Sequence, residues 1–128
     1  MSGSAFALHI PATADHVGTA RSFAVALLRE LGASQERVLD AKLAVSEACS
    51  DAVLALGGAG RIALRATVGD GRLQLEIDAP GRTEPSGIAD TEIGDQIGRV
   101  ALIRSLFPDA EVVAEATGAI LRFSIPLD

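Results

Sequence analysis

The sequence of 128 residues contains no tryptophan and no tyrosine, and only four phenylalanines and one cysteine. The single cysteine, Cys49, excludes an intramolecular disulfide and a cysteine-based zinc site. The net charge of −6 and the scarcity of aromatic rings disfavour direct nucleic-acid binding, because phosphates repel an acidic surface. No apolar run is long enough to span a membrane, and Met1 to Ile10 lacks a signal-peptide pattern. These absences favour a cytoplasmic protein.

The composition is otherwise that of a globular chain. Hydrophobic residues make up 48% of the sequence and charged residues 22%, which excludes the profile of a disordered protein. Globular domains most often have about 100–150 residues. We therefore predict a single domain over residues 1–128.

Hydrophobic periodicity predicts the secondary structure. Apolar residues at helical spacing predict helices over 14–31, 34–56 and 95–106, and alternation predicts strands over 5–10, 61–68, 72–78, 110–116 and 119–127. Thr13 and Ser34 are predicted N-caps, and Gly32 is predicted to be left-handed. The long aperiodic stretch from Ala79 to Ile93 is typical of a binding loop or lid. The order predicts an α+β two-layer sandwich, with helices on one face of a mixed, mostly antiparallel sheet.

Two acidic residues in the second predicted helix form a candidate site. Glu47 and Asp51 are four residues apart, so their carboxylates lie one turn apart on the same face, with no basic residue at positions 43, 50, 54 or 55. A divalent cation such as Mg²⁺ accepts one or two protein carboxylates together with substrate phosphates. The pair is therefore either part of a metal site or an ordinary solvated helix face.

A second candidate is Asp78, which lies at the predicted end of a strand and leads through Pro80 into Gly81. A carboxylate in that place can accept a hydrogen bond from an exocyclic amine, and glycine lets a ligand approach the backbone. The alternative is a plain strand-terminating turn, since Asp and Gly are common turn residues.

Taken in order, three stretches resemble the GHKL (Bergerat-fold, histidine-kinase-like) ATPases, and more narrowly the anti-sigma-factor serine kinases of bacterial partner-switching systems. LDAKLAVSEACSDAV, from Leu39 to Val53, is similar to the N-box helix of that family. LQLEIDAPG, from Leu73 to Gly81, stands in the place of the D-x-G-x-G box, and ALIRSLFPDAEV, beginning at Ala101, is similar to the helix and strand after the glycine-rich lid. The resemblance extends from Phe6 to Pro126.

The resemblance implies ATP and Mg²⁺ as cofactors and assigns a role to several residues. Glu47 would be the general base, Asp51 the Mg²⁺ ligand and Asp78 the adenine contact. Three glycines would let the backbone approach the nucleotide: Gly81, Gly94 and Gly98.

All three boxes depart from the family pattern. Asp51 stands where the family has asparagine, which adds a negative charge facing the ATP phosphates. Pro80 and Arg82 stand where the family has glycines, and proline fixes φ and removes a backbone donor. The lid reads Ile97-Gly98-Arg99 in place of G-x-G. These degenerate boxes indicate a weakened or lost nucleotide site.

Three hypotheses follow from the resemblance. The first is an anti-sigma-factor-like transcription regulator that docks a sigma factor or a STAS-domain anti-sigma antagonist through its first helix and the sheet edge. The second is an active ATP-dependent serine kinase that phosphorylates the STAS-domain antagonist, with in-line phosphoryl transfer. The third is a scaffold that uses the same sandwich to dimerise, and a homodimer is compatible with the first two.

Overall fold

The computed structural model describes residues 4–80, 101–115 and 118–127, of which residues 101–106 are helical. The other elements are, in chain order, β1 (Ala5–Pro11), a 3₁₀ turn (Ala14–His16), α1 (Val17–Glu30), α2 (Gln35–Leu56), β2 (Arg61–Gly69), β3 (Arg72–Pro80), β4 (Glu111–Glu115) and β5 (Gly118–Pro126).

The five strands form one sheet in the order β1-β2-β3-β5-β4, in which all neighbours are antiparallel. β3 lies at its centre and pairs with β2 and β5, so that Glu76 stands opposite both Arg65 and Arg122. β1 and β4 are the two edge strands of the described sheet. The predicted α+β sandwich is confirmed.

The helices cover one face of the sheet. α1 packs against β1 and α2, and α2 packs across β3 and β5. Small side chains on the buried face of α2 let the helix lie close to the strands, and their positions follow the helical period. They are Ala41, Ala44, Ala48 and Ala52.

Of the two predicted N-caps, one is confirmed and one is wrong. The Ser34 side chain caps α2 by accepting a hydrogen bond from the backbone N–H of Arg37 at 3.2 Å. Thr13 makes no such cap, because a 3₁₀ turn precedes α1 and the Thr13 hydroxyl lies 2.8 Å from His16 Nδ1 instead. Gly32 has φ +77°, as predicted for the left-handed position after α1.

The strands differ from their predicted ends by one or two residues. β1 continues through Pro11, which an edge strand tolerates. β3 continues two residues past Asp78, with Ala79 opposite Ala119 and Pro80 opposite Gly118.

Asp70 and Gly71 form the two-residue turn between β2 and β3. Both have positive φ, of +54° and +71°, as a tight hairpin between twisted strands requires. The described helices include none that is both long and apolar enough to cross a membrane.

Candidate functional site

Glu47 and Asp51, the acidic pair of α2, lie at the border of the buried face of that helix. Ala48 and Ala52 on that face are buried in the core, and Asp51, one residue before Ala52, is only 8% exposed. It is the single charged residue that is buried within the described ranges. Glu47 lies one helical turn earlier and is half-buried. The structure therefore places both residues one turn apart on α2, as the sequence predicts.

The residues of α2 fit one part of a magnesium nucleotide site. Mg²⁺ needs only one or two protein carboxylates when phosphates and water supply its other ligands. Asp51 offers one such oxygen, one helical turn from Glu47. No group of three or more His, Cys, Asp or Glu side chains that could hold a metal by themselves occurs in the described parts of the chain.

Asp78 lies on the other side of the sheet. Consecutive residues of a strand point to opposite faces, and Ile77 and Ala79 on either side of Asp78 belong to the core beneath the helices. The Asp78 carboxylate pairs instead with Arg65 on β2, with 3.7 Å between Oδ2 and Nη1. The structure does not bring Asp78 to the face on which Glu47 and Asp51 lie.

Ala79 is the residue at this end of β3 that faces the helices. It is 1% exposed and packs within the hydrophobic core. An alanine side chain has no acceptor for an exocyclic amine, so the position that faces the helix layer does not fit adenine recognition by a carboxylate. The signal was present in the sequence, because the alternation of Leu73, Leu75 and Ile77 continues to residue 79.

Three glycines predicted to approach a nucleotide, Gly81, Gly94 and Gly98, lie outside the described residues. Arg82, Ile97 and Arg99, which depart from the family pattern, lie outside them as well.

A separate groove runs between the start of α1 and the end of α2. Its volume is about 420 Å³, and it is lined by Ala14, Val17, Gly18, Arg21, Ser50, Val53 and Leu54. The Arg21 guanidinium donates a hydrogen bond to the Ser46 hydroxyl at 3.3 Å, which holds this cation over α2. Neither Glu47 nor Asp51 lines the groove, so it is distinct from the acidic pair.

α2 also exposes large apolar side chains to solvent. Leu39, Leu43 and Leu54 are 53%, 42% and 65% exposed, and Leu54 borders the groove. Leu39 and Leu43 are four residues apart and lie side by side on the helix, whereas Leu54 is about three turns further along.

Comparison with known proteins assigns the chain to a family. Residues 10–125 match the model of the histidine kinase-like ATPase domain, and the chain belongs to that family. No curated protein matches the chain.

One solved structure with the same fold is the crystal structure of the RsbU and RsbW domains of Rv1364c from Mycobacterium tuberculosis. The identity is 22% and the TM-score is 0.71, with 96% of this chain and 33% of that chain covered. This chain thus spans about a third of the length of that protein. The likeness confirms the predicted ATPase-like fold.

Proposed function

We propose that this chain is an anti-sigma-factor-like regulator of bacterial transcription that acts in the cytoplasm by binding proteins, with a weakened nucleotide site. Its partners would be a sigma factor, a STAS-domain anti-sigma antagonist, or both. The match to the histidine kinase-like ATPase family supports the origin of this site from a nucleotide-binding site. The RsbW domain in the similar structure supports a role in partner switching.

The observation that carries this proposal is the direction in which the side chains point at the C-terminal end of β3. An adenine-binding carboxylate on the same side of the sheet as Glu47 and Asp51 would stand at Ala79, whereas Asp78 faces away and pairs with Arg65. In addition, Asp51 places a buried negative charge where the family has a neutral asparagine. Both features weaken ATP binding, the first by removing an acceptor and the second by repelling phosphate.

The groove between α1 and α2 supports the protein-binding part of the proposal. It combines apolar walls with one cation, Arg21, and is continuous with the exposed Leu54. Apolar contact area surrounding a held arginine is typical of protein interfaces. The first helix is also the element on which the sequence resemblance places the docking surface.

Thermal unfolding with and without Mg-ATP tests the nucleotide part. A ligand at a hundred times its Kd adds about 2.7 kcal/mol to stability, which is easily measured as a rise in Tm. We expect no rise for the wild-type chain at millimolar Mg-ATP. We expect a rise for Asp51→Asn, because the substitution removes a negative charge from the phosphate side while keeping an oxygen ligand. A rise of several degrees for the wild-type chain contradicts the proposal.

The protein-binding part is tested by mixing the chain with purified sigma factors and STAS-domain proteins from the same genome. We expect a complex without added nucleotide, and we expect Arg21→Glu to abolish it. Arg29→Glu, on the exposed last turn of the same helix but outside the groove, is the matched control and should leave the complex intact. Absence of any complex argues against a regulatory docking role.

The second candidate is an active serine kinase. It is favoured by Glu47, which stands at the general-base position of the family pattern, one turn from the buried Asp51. In that case the wild-type chain transfers phosphate from ATP to a serine of the STAS partner. Glu47→Gln should then abolish transfer and retain ATP binding, while Glu36→Gln, on the exposed first turn of α2, should leave both unchanged. Asp78→Ala should also leave ATP binding unchanged, because its side chain lies on the other face of the sheet.

A further inference from the structure

The groove between α1 and α2 holds one fixed positive charge. Arg21 is the only charged residue among those that line it. Its guanidinium donates from Nη1 to the Ser46 hydroxyl, which itself donates to the Lys42 carbonyl at 2.8 Å. Ser46 is thereby fixed on α2 and keeps the guanidinium in place. No acidic side chain of the described residues forms an ion pair with Arg21, so its other N–H donors are available to a ligand.

The walls beside this cation are mostly apolar. Val17, Val53 and Leu54 contribute branched aliphatic side chains. A Cβ added at Gly18 would lie 3.5 Å from Arg21 Nη2, so the missing side chain keeps the groove open beside the guanidinium. The volume of about 420 Å³ is within the range of about 300–1,000 Å³ that is typical of small-molecule sites.

The start of α1 adds to the positive potential of the groove. His16, at the N-cap position, makes no side-chain cap, and the first turn of α1 contains no acidic residue. The first N–H groups of a helix have no partner within the helix, and the helix dipole makes that end positive. Val17 and Gly18 belong to this turn and line the groove, whereas Asp15 in the preceding 3₁₀ turn is exposed and does not line it.

We propose that this groove binds a small aliphatic carboxylic acid in its ionised form. The carboxylate accepts hydrogen bonds from Arg21, whose planar donor group matches its geometry. The hydrocarbon chain lies against Val17, Val53 and Leu54. Both parts of the ligand are needed, because a small anion gains nothing from the apolar walls and an uncharged chain gives Arg21 no counterion. The binding does not depend on the proposed function, although the acid occupies the surface assigned there to a protein partner.

Octanoate is the probe, and its binding is measured by titration in two-dimensional amide NMR spectra of the isotope-labelled chain. We expect saturable shifts of the signals of Gly18, Arg21 and Ser50 at millimolar octanoate. Protonated octylamine has the same chain with the opposite charge, and acetate has the charge without the chain. Each should bind at least about ten times more weakly than octanoate.

Four variants test the assignment to this groove. Arg21→Gln removes the charge and should weaken octanoate binding about tenfold, whereas Arg29→Gln, on the exposed last turn of α1 and outside the groove, should bind like the wild-type chain. Gly18→Leu places a side chain in the groove and should abolish binding. Ala26→Leu, at an exposed position of the same helix outside the groove, is its control and should not. Circular dichroism should show that the variants are folded.

Absence of a saturable shift with octanoate overturns the proposal. So does equal binding of octylamine or acetate, or a set of shifts confined to residues away from the groove. Full affinity in folded Arg21→Gln or Gly18→Leu has the same consequence, and Arg21→Gln alone decides if Gly18→Leu does not fold. A comparable loss of binding in Arg29→Gln or Ala26→Leu would place the ligand elsewhere and also contradict the proposal.

Discussion

At the scale of single residues, Cys49 shows how burial changes the chemistry of a side chain. Desolvation in the core raises the pKa of its thiol from 9.0 to about 12. The folded protein therefore holds the neutral thiol well above the pH at which an unfolded chain ionises it. Cys49 is a structural core residue, as its place on the apolar stripe of α2 predicts.

The shifted pKa makes stability depend on alkaline pH. Above about pH 9 the unfolded state has lost the thiol proton while the native state retains it, so stability falls as pH rises towards 12. The slope reaches at most about 1.4 kcal/mol per pH unit. Urea unfolding between pH 8 and 10 should show this decline in the wild-type chain and a flatter profile in Cys49→Ala.

Few other groups obscure that measurement, since the chain has no tyrosine and its single lysine is the exposed Lys42. Cys49→Ala should be less stable at pH 8 because it leaves a small cavity. Parallel pH profiles for the two proteins would show that the thiol does not cause the decline.

At the scale of elements, α2 depends on the hydrogen bond at its first turn. Ser34 satisfies one of the N–H groups that every helix leaves without a partner at its start. Ser34→Ala should lower the free energy of unfolding by about 1 kcal/mol, whereas Ser34→Asp should retain the cap and cost little. Chemical denaturation of both variants measures the difference. An equal loss in Ser34→Asp would mean that the hydroxyl stabilises the helix in some other way.

Helix ends and tight turns are predictable because the residues that determine them are close together in the sequence. The cap at Ser34, the left-handed Gly32 and the Asp70-Gly71 turn all depend on residues within a few positions along the chain. The end of β3, which differed from the prediction, has a non-local cause. β3 passes Asp78 because β5 offers partners up to Gly118, and no property of Asp78 itself indicates that.

At the scale of the whole molecule, two phenylalanines join the C-terminal part of the chain to the core. Phe107, just after the helical residues 101–106, stacks on Phe123 of β5 with 5.1 Å between ring centroids, and each is 1% exposed. Phe107→Ala should cost about 3–5 kcal/mol, a large part of the stability of a small domain. Val112→Ala, at a position 40% exposed on β4, is the control and should change stability by less than about 1 kcal/mol.

Thermal and chemical unfolding of both variants tests this expectation. A loss below about 1 kcal/mol in Phe107→Ala would show that the stacking of Phe107 on Phe123 contributes little to the stability of the domain.

The sequence by itself determined that Glu47 and Asp51 share one face of a helix, because a helix with 3.6 residues per turn places residues four apart side by side in any context. It also predicted the α+β sandwich, with a mixed, mostly antiparallel sheet and the helices on one face. Only the tertiary structure decided that β3 continues past Asp78 to Pro80, and that β1 and β4 are the edge strands of the described sheet. A strand has two faces and two edges, and which of them is buried depends on distant helices and strands that pack there.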